Sequence, residues 1–177
     1  MRRLILGLVV VAALTATALA GAVGASGRSD ELAAVRAATA KFHSLAAAKA
    51  VGYAKFYKCT DETGLGAMGQ HYVNFGIVGD AVADPTQPEA VMFEPLPGGG
   101  QRLVGVEWVV FQGAWEDAGH SGTDVPELFG RSFKLIPAPN RYGIDPFYEL
   151  HAWIWKPNPT GTYKDWNPSV SCRGNGD

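Results

Sequence analysis

The sequence predicts an α+β fold, an antiparallel β-sheet of about five strands packed against an N-terminal amphipathic helix. Three observations point there. Near the N-terminus apolar residues recur at steps of three and four, and from residue 71 onward the pattern changes to period two with β-branched and aromatic types. The links between these segments are short and draw on 22 Gly and 11 Pro in 177 residues. One helix followed by a run of strands favours an antiparallel sheet over βαβ units.

The helix is expected from Ser29 to about Ala48, where Leu32, Val35, Ala38, Phe42 and Leu45 form one stripe opposite Arg36 and Ser44. Ser29 or Asp30 suits its cap and Gly52 its stop. Lys49 falls back on the stripe, so the buried part ends before it or the lysine snorkels. Residues 58–70 turn to Gly, Thr and acids and read as a loop. Strands are expected at residues 71–78, 90–93, 103–111, 132–136 and 147–155, with a hairpin turn at Pro97 to Arg102.

At 47% apolar and 18% charged residues, with a formal charge of −2, the chain is unlike a disordered segment or a phosphate-held nucleic-acid binder. Residues 1–25 read as a signal peptide. Met1, Arg2 and Arg3 precede an uncharged apolar run, and cleavage is expected after Ala20 or Ala25. The run exceeds the ~17 residues that can just span a bilayer, so membrane attachment is expected only if the leader stays uncut. Loss of Arg2 and Arg3 takes the formal charge from −2 to −4. Residues 26–177 are then one domain in an extracytoplasmic or secreted setting, where Cys59 and Cys172 are expected to pair.

Two motifs fail on context. Gly64-Leu65-Gly66-Ala67-Met68-Gly69 matches the dinucleotide fingerprint, but it follows a helix and precedes a strand, the reverse of what a pyrophosphate site needs. Gly119-His120-Ser121-Gly122 lacks the final Gly of a nucleophile elbow.

What survives is a set of imidazoles and carboxylates. Alternation puts Phe147, Glu149, His151, Trp153 and Trp155 on one face of the last strand and Tyr148, Leu150, Ala152 and Ile154 on the other. Glu107 interrupts the apolar run Leu103-Val104-Gly105-Val106-Glu107-Trp108-Val109-Val110, where an unpaired carboxylate is costly. If the helix crosses the face of Glu149 and His151, then His43, His71, Glu107, Glu149 and His151 converge, although His43 sits on a flank of the helix. Such a set suits Zn²⁺, Cu²⁺ or non-haem Fe²⁺. Without a metal it supplies a general acid and base. The plain alternatives are structural hydrogen bonds for His71 and His151, a solvated flank for His43, solvent for His120, and Arg102 or Arg131 as the partner of Glu107. The face bearing Trp153 and Trp155 is either a small-ligand pocket or ordinary core.

Met68-Gly69-Gln70-His71-Tyr72-Val73-Asn74, Leu103-Val104-Gly105-Val106-Glu107-Trp108, Pro126-Glu127-Leu128-Phe129-Gly130, Phe147-Tyr148-Glu149-Leu150-His151-Ala152-Trp153 and Asp165-Trp166-Asn167-Pro168-Ser169-Val170-Ser171-Cys172 resemble a family of uncharacterised exported bacterial proteins. The resemblance covers nearly the whole mature chain. It implies an exported single domain and carries no activity. The functional expectation is therefore a His and carboxylate pocket for a divalent metal or small ligand. The alternatives are a non-catalytic envelope module with an aromatic face and a hydrolase using a Glu/His acid-base pair.

Overall fold

A computed structural model of the chain describes residues 31–121 and 123–174. The expected leader and the capping positions Ser29 and Asp30 lie outside the described residues. Helix α1 covers residues 31–39, followed by a 3₁₀ turn at Ala40–His43 and a short helix α2 at Leu45–Ala50. The strands are β1 Tyr53–Glu62, β2 Gly66–Asn74, β3 Ala90–Pro95, β4 Gln101–Phe111, β5 Glu127–Leu128, β6 Arg131–Ser132, β7 Lys134–Ile136 and β8 Phe147–Ala152, with a third helix, α3, at Gln112–Asp117. The main sheet has six strands in the order β1-β2-β3-β4-β8-β7, every neighbouring pair antiparallel, and β5 with β6 forms a separate ribbon.

The α+β class stands, but the expected continuous helix does not. The Thr39 hydroxyl donates to the Val35 carbonyl at 2.8 Å, a local bond that bends helices. Ser44 is extended and its Oγ accepts from Ala47 N at 3.3 Å, so it caps a new helix. The apolar stripe survives the break, since Val35, Phe42 and Ala48 are all buried. Lys49 snorkels, its Nζ lying 5.8 Å from the centre of the Tyr72 ring.

The strand count also changes. The segment read as a loop is the β1–β2 hairpin, with its turn at residues 63–65. β1 is an edge strand whose residues are mostly exposed and often charged, so it lacks the alternation that marks a half-buried strand. The segment expected at 132–136 splits into β6 and β7 around Phe133. The fingerprint glycines serve this hairpin. A Cβ on Gly66 would lie 2.2 Å from Asn167 O, and one on Gly69 would lie 2.6 Å from Phe93 O. They permit backbone packing and have no helix start to offer a pyrophosphate.

The two faces of the sheet have different work. Tyr72, Val91, Phe93, Val106, Trp108, Tyr148 and Leu150 pack with the helical segment in the main core. On the other face Val73, Ala90, Val109 and Phe147 pack with Phe56, Phe111, Tyr142 and Ile144. The helix thus covers the side away from His151 and Glu149. Arg36 Nε donates to Ile154 O at 3.1 Å and helps hold it there. Cys59 and Cys172 form the expected disulfide across 113 residues. Among the described residues no helix is long and apolar enough to cross a membrane.

Candidate metal centre

Register places the polar residues of the second face side by side. Val73 pairs with Ala90, Ala90 with Glu107 and Glu107 with His151, in one row across four strands. His71 lies two positions along β2 from Val73 on the same face, opposite Met92 of β3. His71 Nε2 stands 3.3 Å from Glu107 Oε2, and His151 Nε2 stands 3.6 Å from Glu107 Oε1. The two imidazole rings are nearly perpendicular, with centroids 5.8 Å apart. All three residues are buried, His151 to 1% exposure.

A second layer comes from residues that alternation does not reveal. Trp153 N donates to Thr162 O at 2.9 Å, and Ala67 and Asn167 exchange backbone hydrogen bonds, so the coil after β8 is pinned to the start of β2. This holds Asp165 Oδ1 3.8 Å from His151 Nδ1. Lys134 of β7, opposite Glu149, bonds the Asp165 carboxylate and lies 3.5 Å from Glu149 Oε1.

Burial is the largest influence on the titration of Glu107, His71 and Tyr142. Glu107 is pushed well above the usual carboxylate range, first by desolvation and then by the charges of Glu149 and Asp165. His71 is pushed down to about 3 by desolvation and by His151, against a hydrogen bond with the Gly69 backbone. Burial also raises Tyr142, helped by Glu107 and Glu149. For Lys134 burial pulls the other way, but its hydrogen bond and charge pairing with Asp165, together with Glu149, leave it raised.

Among the described residues, both ring nitrogens of His151 and one oxygen of Glu149 have no hydrogen-bond partner. A buried imidazole so placed is a cost unless something else satisfies it. Its carboxylate contacts at 3.6 and 3.8 Å are too long for hydrogen bonds. Donors sharing a tetrahedral ion at 2.0–2.1 Å stand about 3.3–3.4 Å apart, close to the 3.3 and 3.6 Å that separate His71 and His151 from the two oxygens of Glu107. Two groups of three donors, His71 with Glu107 and His151, and Glu149 with His151 and Asp165, each fall within 4.8 Å. In the second group the Lys134 ammonium already stands against both carboxylates. Among the described residues no lysine or arginine pairs with the first group.

His71, Glu107, Glu149 and His151 are therefore brought together, and His43 is not. His43 lies with the helix on the opposite face, exposed, its ring edge-on to Trp155 at 4.4 Å. Because β8 ends at Ala152, Trp155 also turns to that side and packs on the main core, so it leaves the face alternation assigned to it. Arg102 pairs with Glu94 and Arg131 lies over Tyr163, so neither reaches Glu107. His120 is not simply solvated, since it bonds Asp124 at 2.6 Å and stacks on Trp115. Asp165 and Lys134 were missed; the alternation of Lys134 opposite Glu149 becomes visible only once β7 is paired with β8.

Glu149, His151 and Asp165 line an open cleft of about 500 Å³ with Lys134, Lys164 and Trp166. The group thus opens to solvent. Compared with protein-family models, curated proteins and solved structures, the chain matches none.

Proposed function

We propose that this is an exported protein that binds one divalent first-row metal ion, Zn²⁺ foremost, through His71, Glu107 and His151. The observation that carries the reading is His151, buried with both ring nitrogens unsatisfied, one facing Glu107 and the other facing Asp165. Two imidazoles and a carboxylate are borderline donors suited to Zn²⁺, with Cu²⁺ and Fe²⁺ as competitors. Asp165 Oδ1 faces the far nitrogen of His151 at 3.8 Å, placed to orient the ring once the near nitrogen holds an ion, and Lys134 pairs with Asp165. Three protein donors leave a coordination position for water or a ligand, where the ion would polarise whatever it binds. The disulfide and the leader expected at residues 1–25 support the extracytoplasmic setting.

Elemental analysis after dialysis against Zn²⁺ tests this on the full mature chain. The expected result is close to one ion per chain and a melting temperature that rises with Zn²⁺ and falls back with a chelator. His151→Gln should abolish uptake, and Asp165→Asn should weaken it roughly 10- to 100-fold while the fold persists. No uptake of Zn²⁺, Cu²⁺ or Fe²⁺ by the wild-type protein would overturn the reading. The histidines would then be structural, as in an envelope binding module.

A further inference from the structure

On the sheet face that carries His71 and Glu107 there is a second, smaller cavity of about 70 Å³, apart from that cleft. Its walls include Phe56, Phe75, Val78, Val109, Tyr142 and Phe147. Its buried ionisable floor is His71 and Glu107, two of the three donors assigned to the ion. Protein interiors rarely keep voids beyond the size of a water molecule. One that is kept against buried polar groups is a candidate ligand pocket.

The rim adds an independent sign. Phe75 is 59% exposed and Tyr57 41% exposed, both large side chains left in water at the mouth of the cavity. Tyr57 also has a left-handed backbone, φ 54°, at the bulge that interrupts β1. For a bulky residue other than glycine this is strained, and such strain collects at binding sites. It sets the Tyr57 ring edge-on to Tyr142 at 5.3 Å, on the wall of the cavity.

We infer that this cavity takes the apolar end of a small uncharged ligand whose polar head meets the ion held by His71, Glu107 and His151. The inference rests on the metal reading above and names the ligand class for it. Size limits the tail. A cavity of about 150 Å³ admits a benzene ring, so one half as large takes a branched tail of roughly three or four carbons and no ring. Charge limits the head. Glu107, Glu149 and Asp165 surround the site, and Lys134, whose ammonium faces them, is already engaged by the last two. With the two charges of the ion and that of Lys134 set against the three carboxylates the site is neutral, so a carboxylate head would leave a net buried negative charge, whereas a neutral carbonyl or amide adds none.

Isobutyramide, benzamide and isobutyrate serve as probes of shape and charge on the Zn²⁺-loaded and chelator-treated protein, read by valine methyl NMR. Isobutyramide should shift the methyls of Val73, Val78 and Val109 saturably in the Zn²⁺ form, with affinity at least about tenfold above that of the other two probes. Val78→Phe, which fills the cavity from a turn outside the strands, should remove this response while Zn²⁺ uptake by elemental analysis is unchanged. If Zn²⁺ is bound and isobutyramide moves none of these methyls, the inference falls and the metal reading stands. Equal affinity with and without Zn²⁺ also overturns it, because the head would then not be held by the ion.

Discussion

Glu89 shows at the scale of one residue what a buried carboxylate does to this molecule. It is 1% exposed, and its Oε2 accepts from Val109 N at 2.9 Å. Desolvation raises its pKa to about 8, against that hydrogen bond and with help from Asp80 and Asp84. Because the folded value lies above the unfolded one of 4.5, the native state holds more protons than the unfolded chain between these values. Glu89 therefore favours folding fully in acid and loses that contribution as the pH rises from about 4.5 through about 8. Glu89→Gln keeps an acceptor for Val109 N and removes the charge. Melting curves across this range should show a flatter pH dependence and, at the alkaline end, a gain of about 2 kcal/mol, on the order of 5 °C. A variant that melts lower than wild type at every pH would show that the carboxylate itself is needed.

At the scale of elements, local periodicity explains which parts of the site were legible. Alternation within β8 puts Glu149 and His151 on one face from the sequence alone, and Glu107 stands out because its neighbours in β4 are apolar. Pairing between strands is not local, so neither the approach of His71 to Glu107 across β3 nor the side chosen by the helix could be read from spacing. His43 stays apart because the helix packs on the opposite face, and Trp155 because β8 ends at Ala152. Asp165 lies in coil, where no period exists to assign a direction. β1 escaped notice because an exposed edge strand has little reason to alternate. The β1–β2 hairpin nevertheless positions His71, and its glycines show how. Gly69 has φ +90°, and a Cβ there meets the Phe93 carbonyl at 2.6 Å, so Gly69→Ala must strain β2 or push β3 away. A loss of at least about 2 kcal/mol in urea unfolding is expected. Gly113→Ala, in α3 with open space around it, should be neutral or slightly stabilising under the same conditions. Equal effects at the two positions would mean that the close approach of β2 and β3 is not what Gly69 serves.

Across the whole molecule, the Cys59–Cys172 bond joins the edge strand to the last described turn of the chain and closes a loop spanning 113 residues. Everything that builds the candidate centre lies inside that loop. Its first effect is on the unfolded chain, where closure of a loop this long removes entropy worth about 4–5 kcal/mol. Its second effect is on the coil that carries Asp165, which is held at one end by β8, in the middle by the Ala67–Asn167 bridge and beyond it by the disulfide. These effects separate experimentally. The pair Cys59→Ala with Cys172→Ala should lower unfolding stability in urea by several kcal/mol, with a matching loss when wild type is reduced. If the bridge and the Trp153 bond to Thr162 hold the coil by themselves, Zn²⁺ affinity measured well below the unfolding transition should stay within about threefold of wild type. A drop of the size expected for Asp165→Asn would instead mean that the covalent tie is what keeps Asp165 against His151. Loss of stability without loss of affinity assigns the disulfide to the fold, and loss of both makes it part of the centre.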